Sequence, residues 1–198
     1  MEIHNKGTKR LFENPILERL TRTHIALPIG IFILYGMGLL YWSIATVQLD
    51  PLVTTGLFFG GLLFFTLLEY SIHRFLFHMS THTSARKNFQ YKFHGVHHDY
   101  PKDKDRLAMP PIVSVTISTI LLFLFKLVIG DQVFAFLPGF LFGYAGYLFI
   151  HYLVHAYRPP KNFLKIFWVH HGIHHYRQGH KAFGVTSPLW DFVFRTMP

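Results

Sequence analysis

Residues 151–175 read HYLVHAYRPPKNFLKIFWVHHGIHH and follow a long apolar run. His151 and His155 are four residues apart, and His171, His174 and His175 then form an HxxHH pattern. Spacings of three and four keep side chains on one face of a helix. Two neighbouring helices can therefore direct imidazoles to one point, and imidazole is a ligand of zinc, copper, iron and nickel. The stretch predicts a metal centre at the end of a membrane helix.

The composition is that of a membrane protein. Of 198 residues, 51% are hydrophobic and only 15% are charged, which is unusual for a soluble domain. The net charge of +9 suits an anionic partner, and the long apolar runs favour an acidic lipid surface over nucleic acid. The chain has no cysteine, which excludes disulfides, thiolate zinc sites and iron–sulfur clusters held by this chain.

Four apolar runs are long enough to cross a bilayer as helices. They cover about residues 25–48, 52–70, 111–130 and 133–157. A very short turn joins the first run to the second, and another joins the third to the fourth. We expect residues 1–24 to form a cytoplasmic N-terminal segment, and residues 71–110 and 158–198 to form a cap. The predicted fold is all-α and a single domain. Four transmembrane helices support a cytoplasmic helical cap that holds a histidine-rich dimetal site.

The basic residues predict the orientation. Lys126 is the one basic residue inside an apolar run, and the short turns at Asp50 and Asp131 have none. All other lysines and arginines lie in the N-terminal segment or the cap. The positive-inside rule therefore places both of these on the cytoplasmic face.

Ten histidines form four clusters. His73 and His78 are five residues apart, about 140° on an ideal helix, so they share a site only if the helix ends or bends there. In the last cluster His170 competes with His171, and we prefer His171 because it repeats the HxxHH form. His82 and His180 fit neither pattern and are expected at the surface. The candidate metal ligands are His73, His78, His94, His97, His98, His151, His155, His171, His174 and His175.

A single histidine near the end of a membrane helix is more often a packed or interfacial residue than a ligand. Four clusters on one side of a membrane are a stronger signal, which favours an enzyme over a structural zinc site or a metal-transport protein. The chain has no HExxH motif and no Glu-x-x-His pair, so zinc-protease and carboxylate di-iron patterns are absent. Ten imidazoles suit two first-row metals. If the chemistry is redox, iron is the candidate metal, because zinc has no redox chemistry.

Four stretches resemble the histidine boxes of the fatty acid hydroxylase and sterol desaturase superfamily, and within it the fatty acid 2-hydroxylases. They read HRFLFHM (73–79), HGVHHDYPKDKDRLAMPP (94–111), GYAGYLFIHYLVH (143–155) and HHGIHHYRQGHKAFGVTSPLWDFVFRT (170–196). The resemblance implies that the ten histidines hold two iron ions, which zinc can replace in a purified sample. It also implies O₂-dependent hydroxylation of a lipid acyl chain at the carbon next to the carboxyl or amide.

Two features depart from this family. Leu148 stands where members often have an aspartate three residues before the third box, so a sterol- or carotenoid-modifying enzyme is the alternative within the superfamily. The 24 residues before the first run cannot hold the cytochrome b5 domain that many eukaryotic members carry. The resemblance therefore implies a separate electron-transfer protein, cytochrome b5-like or ferredoxin-like, and favours a bacterial inner membrane over the endoplasmic reticulum.

Aromatic and acidic residues near the boxes complete the predicted site. We expect the acyl chain in an apolar channel, with a packed stripe on the last box's helix that includes Leu164. The candidate channel walls are Tyr144, Tyr147, Phe167 and Trp168. The candidate partners for ligand N–H groups, with solvated loop charges as the alternative interpretation, are Asp99, Asp103 and Asp191.

Overall fold

The computed structural model describes residues 3–198, and within this range the chain forms nine α-helices and no strand. The helices are α1 (Pro15–Leu20), α2 (Ala26–Trp42), α3 (Pro51–Ser71), α4 (Ser84–Gln90), α5 (Val96–Asp99), α6 (Pro111–Ile129), α7 (Val133–Ala156), α8 (Lys165–Tyr176) and α9 (Leu189–Val193). Short π-helical segments follow α2 (Ser43–Val47) and α3 (Ile72–Phe77) and precede α5 (Tyr91–Gly95). Two 3₁₀ turns lie at Lys104–Arg106 and Gly130–Gln132. The prediction of an all-α fold is confirmed.

Three helical stretches of the described chain are long and apolar enough to cross a membrane: Ala26–Val47, Pro51–Phe77 and Lys104–Ala156. Many of their apolar side chains are not covered by protein. Leu127 and Val128, for example, are 84% and 81% exposed. Lipid can cover an apolar surface of this extent, whereas water disfavours it. The prediction of a membrane protein is confirmed.

The third stretch contains two antiparallel helices. The ring of Phe125 on α6 lies 5.5 Å from that of Phe136 and 6.1 Å from that of Phe140, both on α7. A continuous helix would separate Phe125 from Phe140 by about 22 Å, so the chain reverses between them. The reversal lies at Gly130, whose φ of +60° is accessible to glycine at little cost. The helices α2, α3, α6 and α7 thus lie where the sequence predicts four apolar helices.

The position of α7 against α3 depends on two glycines. A Cβ atom on Gly61 would overlap the carbonyl oxygen of Phe136, and one on Gly139 would overlap the carbonyl oxygen of Phe58. Small residues allow this close approach of backbones between membrane helices. Because the candidate ligands His151 and His155 lie on α7, this contact helps to set their position relative to α3.

The N-terminal segment packs against the cap, a contact that the sequence analysis did not predict. The Glu18 carboxylate accepts hydrogen bonds from the backbone N–H groups of Leu11 and Phe12 and forms an ion pair with Arg106. Burial raises the pKa of Glu18, but these hydrogen bonds and the Arg106 charge outweigh it and lower the pKa to about 2. The backbone N–H of Thr23 donates a hydrogen bond to the carbonyl oxygen of Asp105 in the cap, at 2.8 Å. This segment is therefore part of the folded unit.

Candidate metal centre

The structure brings all ten predicted histidines together in two groups of five. In each group, one nitrogen from every ring lies within 4.8 Å of the others. Group A comprises His73, His78, His94, His98 and His174, and group B comprises His97, His151, His155, His171 and His175. The rings of His98 and His175 stack across the boundary, with centroids 4.2 Å apart. The two groups therefore adjoin.

A π-helical turn brings His73 and His78 into the same group. The backbone N–H of His78 donates to the carbonyl of His73 at 3.2 Å, which is the i to i+5 hydrogen bond of a π-helix. The two ring centroids lie 5.2 Å apart. The bend that the five-residue spacing requires is this widened turn.

Each HxxHH box contributes to both groups. In α8, His171 and His175 belong to group B and His174 belongs to group A. On an α-helix, residue i+4 lies about 40° to one side of residue i, and residue i+3 about 60° to the other. This angular spread allows the pair spaced by four to face one group while His174 faces the other. The box at 94–98 is divided in the same way with the groups exchanged.

The ring nitrogens of group A converge more closely than hydrogen bonding explains. The Nε2 atom of His94 lies 3.0 Å from Nε2 of His73 and 2.9 Å from Nε2 of His98. A neutral imidazole nitrogen is a donor or an acceptor, so the His94 nitrogen cannot satisfy both neighbours. Two nitrogens at right angles, each about 2.1 Å from a metal ion, lie about 3.0 Å apart. The spacing therefore fits adjacent ligands of one ion.

Group B has the same geometry. The Nε2 atoms of His151 and His97 are 3.0 Å apart, and those of His155 and His171 are 2.8 Å apart. Both ring nitrogens of His175 are buried without a hydrogen-bond partner in residues 3–198, which costs free energy unless a further group binds them. An all-imidazole set suits first-row transition metals. The residues present fit two such ions, and metal binding by them stays a prediction.

Backbone carbonyls orient two rings of group A. The Nδ1 atom of His73 donates to the carbonyl of Phe183, and Nδ1 of His174 donates to the carbonyl of Lys181 at 2.8 Å. With Nδ1 protonated, the Nε2 atom of each ring keeps its lone pair for group A.

The three aspartates predicted for this orienting role contact none of the ten rings in the part of the chain that the structure describes. Asp99 accepts a hydrogen bond from the Tyr91 hydroxyl at 2.9 Å, and Asp103 lies 3.4 Å from Arg106 in an ion pair. Asp191 is fully buried, and its carboxylate accepts a hydrogen bond from the backbone N–H of Phe183 and not from one of the ten rings. The prediction of direct contacts is wrong, and at His73 and His174 a backbone carbonyl oxygen accepts the hydrogen bond in place of an aspartate.

Asp191 anchors the loop that carries one of these carbonyls. Its two oxygens accept hydrogen bonds from the backbone N–H groups of Phe183 and Gly184, at 2.9 and 2.7 Å. They also contact His170, whose Nε2 lies 3.0 Å away. His170 thus lies outside both groups, and the structure places His171 in group B, as the repeated HxxHH form predicts. His82 and His180 lie exposed.

Glu69 holds the same loop from the membrane side, and sequence reasoning missed it. Its buried carboxylate accepts hydrogen bonds from the backbone N–H groups of Val185 and Thr186 at 2.6 and 3.1 Å. Glu69 lies four residues before His73 on the last turn of α3. An acidic residue near the end of an apolar run is itself a signal of a functional contact.

Burial keeps the imidazoles of the cap neutral. Desolvation and the neighbouring His174 lower the pKa of His98 to about 2. Desolvation also lowers the pKa of His174 to about 4, although its hydrogen bond to the Lys181 carbonyl opposes the shift. Neutral imidazole is the form that binds metal, so both rings are in the binding form at neutral pH.

The predicted channel residues lie in two places. Tyr144 and Tyr147 are on the same face of α7 as His151, and their rings stack in sequence with centroid distances of 5.9 and 5.3 Å. Trp168 lines an opening beside group B, whereas Phe167 is half-buried on α8. A channel between these two places stays a prediction.

The exposure of two leucines near the site, Leu164 and Leu148, bears on the predicted stripe and on the family comparison. Leu164 is 40% exposed, so the predicted packed stripe on α8 does not extend to it. Leu148, at the position of the family's aspartate, is 1% exposed within the hydrophobic core.

The fold and the histidines together define an all-helical membrane protein with two adjoining groups of five imidazoles that are able to hold metal. The chain belongs to the fatty acid hydroxylase family, whose model matches residues 58–196. The family predicted from the histidine boxes is confirmed.

Individual relatives agree with this assignment. The dihydroceramide fatty acyl 2-hydroxylase FAH2 of Arabidopsis thaliana is 36% identical over 96% of this chain and 80% of that protein. The fatty acid 2-hydroxylase of Rattus norvegicus is 39% identical over 73% of this chain, but the match covers 40% of the rat protein. A solved structure titled full-length scs7p, with only its hydroxylase domain visible, matches with a TM-score of 0.83 and 34% identity. That match covers 98% of this chain and 73% of the solved chain.

Proposed function

We propose that this protein is an O₂-dependent membrane hydroxylase that introduces a hydroxyl group at carbon 2 of a fatty acyl chain. The observation that carries the proposal is the convergence of ten imidazoles into two adjoining groups of five. Membership of the fatty acid hydroxylase family supports it, and relatives named as fatty acid or dihydroceramide fatty acyl 2-hydroxylases support the site of reaction.

Groups A and B would each hold one iron ion through their five histidines. Bound iron would supply the activation of O₂, whereas zinc in a purified sample would replace it without redox activity. The overall reaction combines the C–H group, O₂, two electrons and two protons to give the alcohol and water. The electrons would come from a separate electron-transfer protein, cytochrome b5-like or ferredoxin-like.

The protein's own contribution would be to position the chain and exclude water. Tyr144 and Tyr147 form an aromatic face on α7 that leads to His151. An acyl chain along this face would place one carbon next to group B, and fixed proximity selects the carbon that reacts. Apolar packing by residues such as Leu148 keeps water away from that part of α7.

The proposed arrangement in the membrane has four crossings and a cytoplasmic cap. The reversal at Gly130 supports separate crossings by α6 and α7, and the basic residues of the cap support its cytoplasmic side. The relatives compared above are eukaryotic proteins. They favour the endoplasmic reticulum over the bacterial inner membrane expected from the sequence.

The substitution His174→Ala tests the proposal. It removes a group A nitrogen that is buried without a partner in residues 3–198, so we expect loss of metal together with loss of the 2-hydroxylated product. Elemental analysis of the purified protein and mass spectrometry of hydrolysed cell lipids measure the two effects. The matched control is His82→Ala, at an exposed histidine outside both groups. Full hydroxylation by the His174 variant would contradict the proposal.

Two other functions give different results in the same cells. A sterol- or carotenoid-modifying enzyme would change those lipids and leave fatty acids unhydroxylated. A metal-transport protein would move metal into sealed vesicles without O₂ or an electron donor. Transport paths place polar residues along the membrane helices, but the halves of the apolar runs distant from the histidines contain very few.

A further inference from the structure

An opening on the cap leads to group B and not to group A. It encloses about 480 Å³ between the end of α7 and one face of α8. His155, His171 and His175 line it, and all three belong to group B. Val154 and Ala156 contribute apolar surface. A molecule in this opening would therefore have apolar walls and direct contact with group B imidazoles.

Two cations line the same opening, Lys102 and Arg158. Both are exposed, and neither belongs to an ion pair formed within residues 3–198. Three carboxylates lie within three residues of Lys102 in sequence, and none of them lines the opening: Asp99, Asp103 and Asp105. Asp103 is paired with Arg106 instead.

Few carboxylates are available to neutralise the two cations that line the opening. The sequence has no aspartate or glutamate from residue 132 to residue 190, a range that includes all of α7 and α8. The next acidic side chain, Asp191, is fully buried and has four hydrogen-bond partners of its own. The opening is therefore positively charged and suits an anion.

The reaction requires the head of the substrate to lie beside the metal centre. Carbon 2 of an acyl chain is bonded to the carbonyl carbon, about 1.5 Å away. If carbon 2 reacts at the histidine groups, its carbonyl head lies within a few ångströms of them. The opening next to His155 and His171 has space for such a head. A carboxylate or phosphate would gain charge-assisted hydrogen bonds from the two cations, and a neutral amide would gain far less.

We propose that this opening binds the head of the acyl substrate, that the head is anionic, and that Lys102 and Arg158 bind it. The inference rests on the proposed 2-hydroxylation and names its substrate class. The anionic group is either the carboxylate of a free fatty acid or a phosphate of a larger head, as in an acyl-coenzyme A thioester. An acyl amide such as a ceramide does not use these cations.

Binding to the full-length, metal-loaded protein in detergent tests this inference without turnover. The probes are palmitate, palmitoyl-coenzyme A and N-palmitoylsphinganine. The test variant is Lys102→Gln with Arg158→Gln. The matched control is Lys161→Gln with Arg177→Gln, which removes the same charge from exposed residues of the cap outside the opening. Metal content and melting temperature of both variants check that the fold is retained.

We expect the test variant to bind at least one anionic probe about tenfold more weakly, and the control variant and the amide probe to change less than about twofold. Loss for palmitate assigns the carboxylate as the bound group, and loss for palmitoyl-coenzyme A alone assigns the phosphate. Unchanged binding of both anions, or an equal loss in the control variant, would overturn the inference. These results leave the proposed hydroxylation intact, whereas an absence of 2-hydroxylated product from the unaltered protein would count against that function.

Discussion

At the scale of single residues, the two groups are supported differently. Group A has rings oriented by carbonyls of the loop 181–186, and this loop is held by Asp191 and Glu69. Group B instead borders an opening through three of its rings. Asp191 and Glu69 therefore support group A through the backbone of the loop, and the loss of either carboxylate should affect group A before group B.

Replacing Asp191 by asparagine tests this asymmetry. An asparagine amide presents N–H groups where Asp191 now accepts from Phe183, Gly184 and His170, so the loop should shift and the Phe183 carbonyl should release His73. Loss of an outer contact of this kind lowers metal affinity by about 10–100-fold. If each group holds one iron ion, as proposed, the iron content should fall from about two to about one per chain, measured by elemental analysis after dialysis against a weak chelator.

The matched control for this substitution is Asp131→Asn, at an exposed carboxylate in the turn between α6 and α7. Glu69→Gln should reproduce the selective loss, because it affects the same loop from the other side. Simultaneous loss of both metals, with a large fall in melting temperature, would indicate a general structural role instead.

At the scale of helices, the sequence predicts positions well and contacts poorly. Hydrophobic length alone places α3, α6 and α7 within one residue of their observed bounds, and it does the same for α2 taken together with the π-helical segment that follows it. Histidine spacing shows which rings can share a face, but a spacing does not reveal which neighbour that face meets. The division of each HxxHH box between two groups therefore could not be predicted, since it depends on the position of the helices around it.

The remaining differences between the predicted and the observed contacts also arise from packing between separate parts of the chain. The five-residue spacing of His73 and His78 requires a bend, but its form as a π-turn depends on packing around it. Glu69 and Asp191 find their partners 116 and 8 residues away in sequence, and no local pattern records the longer contact. At His73 and His174 the ring partner is a backbone carbonyl oxygen, a group that every residue has, and not one of the aspartates that the sequence predicts.

The crossing of α3 and α7 gives a prediction at this scale. Gly61→Ala adds a Cβ atom that would overlap the Phe136 carbonyl, so the helices must separate. We expect a loss of about 1–3 kcal/mol of stability and a lower metal content, because His73 and His151 follow on these helices. Thermal unfolding in detergent measures the first effect, and elemental analysis the second.

The neighbouring glycine is the matched control. A Cβ atom on Gly60 meets no other atom within 4 Å, so Gly60→Ala should leave stability unchanged or raise it by up to about 1 kcal/mol through helix propensity. If both substitutions had the same effect, helix propensity and not the close contact would explain it.

At the scale of the whole molecule, the histidines constrain the path of the chain through the membrane. Group A combines histidines from 73–98 with His174, and group B combines His97 with histidines from 151–175. Both segments of the cap must therefore lie on one side of the bilayer. The helical stretch Lys104–Ala156 connects them. In the proposed arrangement this stretch would cross the membrane twice, through α6 and α7, with the reversal at Gly130 between the two crossings.

Single cysteines introduced into this cysteine-free chain can test the path. In sealed vesicles, a membrane-impermeant maleimide should label Gln48→Cys and Asp131→Cys from one side, and His82→Cys and Lys161→Cys from the other, because the first two lie in the short turns and the last two in the cap. All four residues are exposed, so unequal labelling reports their side and not their burial. Detergent should make all four react and serves as the control. If positions 82 and 161 reacted from opposite sides, the stretch between them would cross an odd number of times. The ten imidazoles would then be divided by the bilayer and unable to share a metal centre.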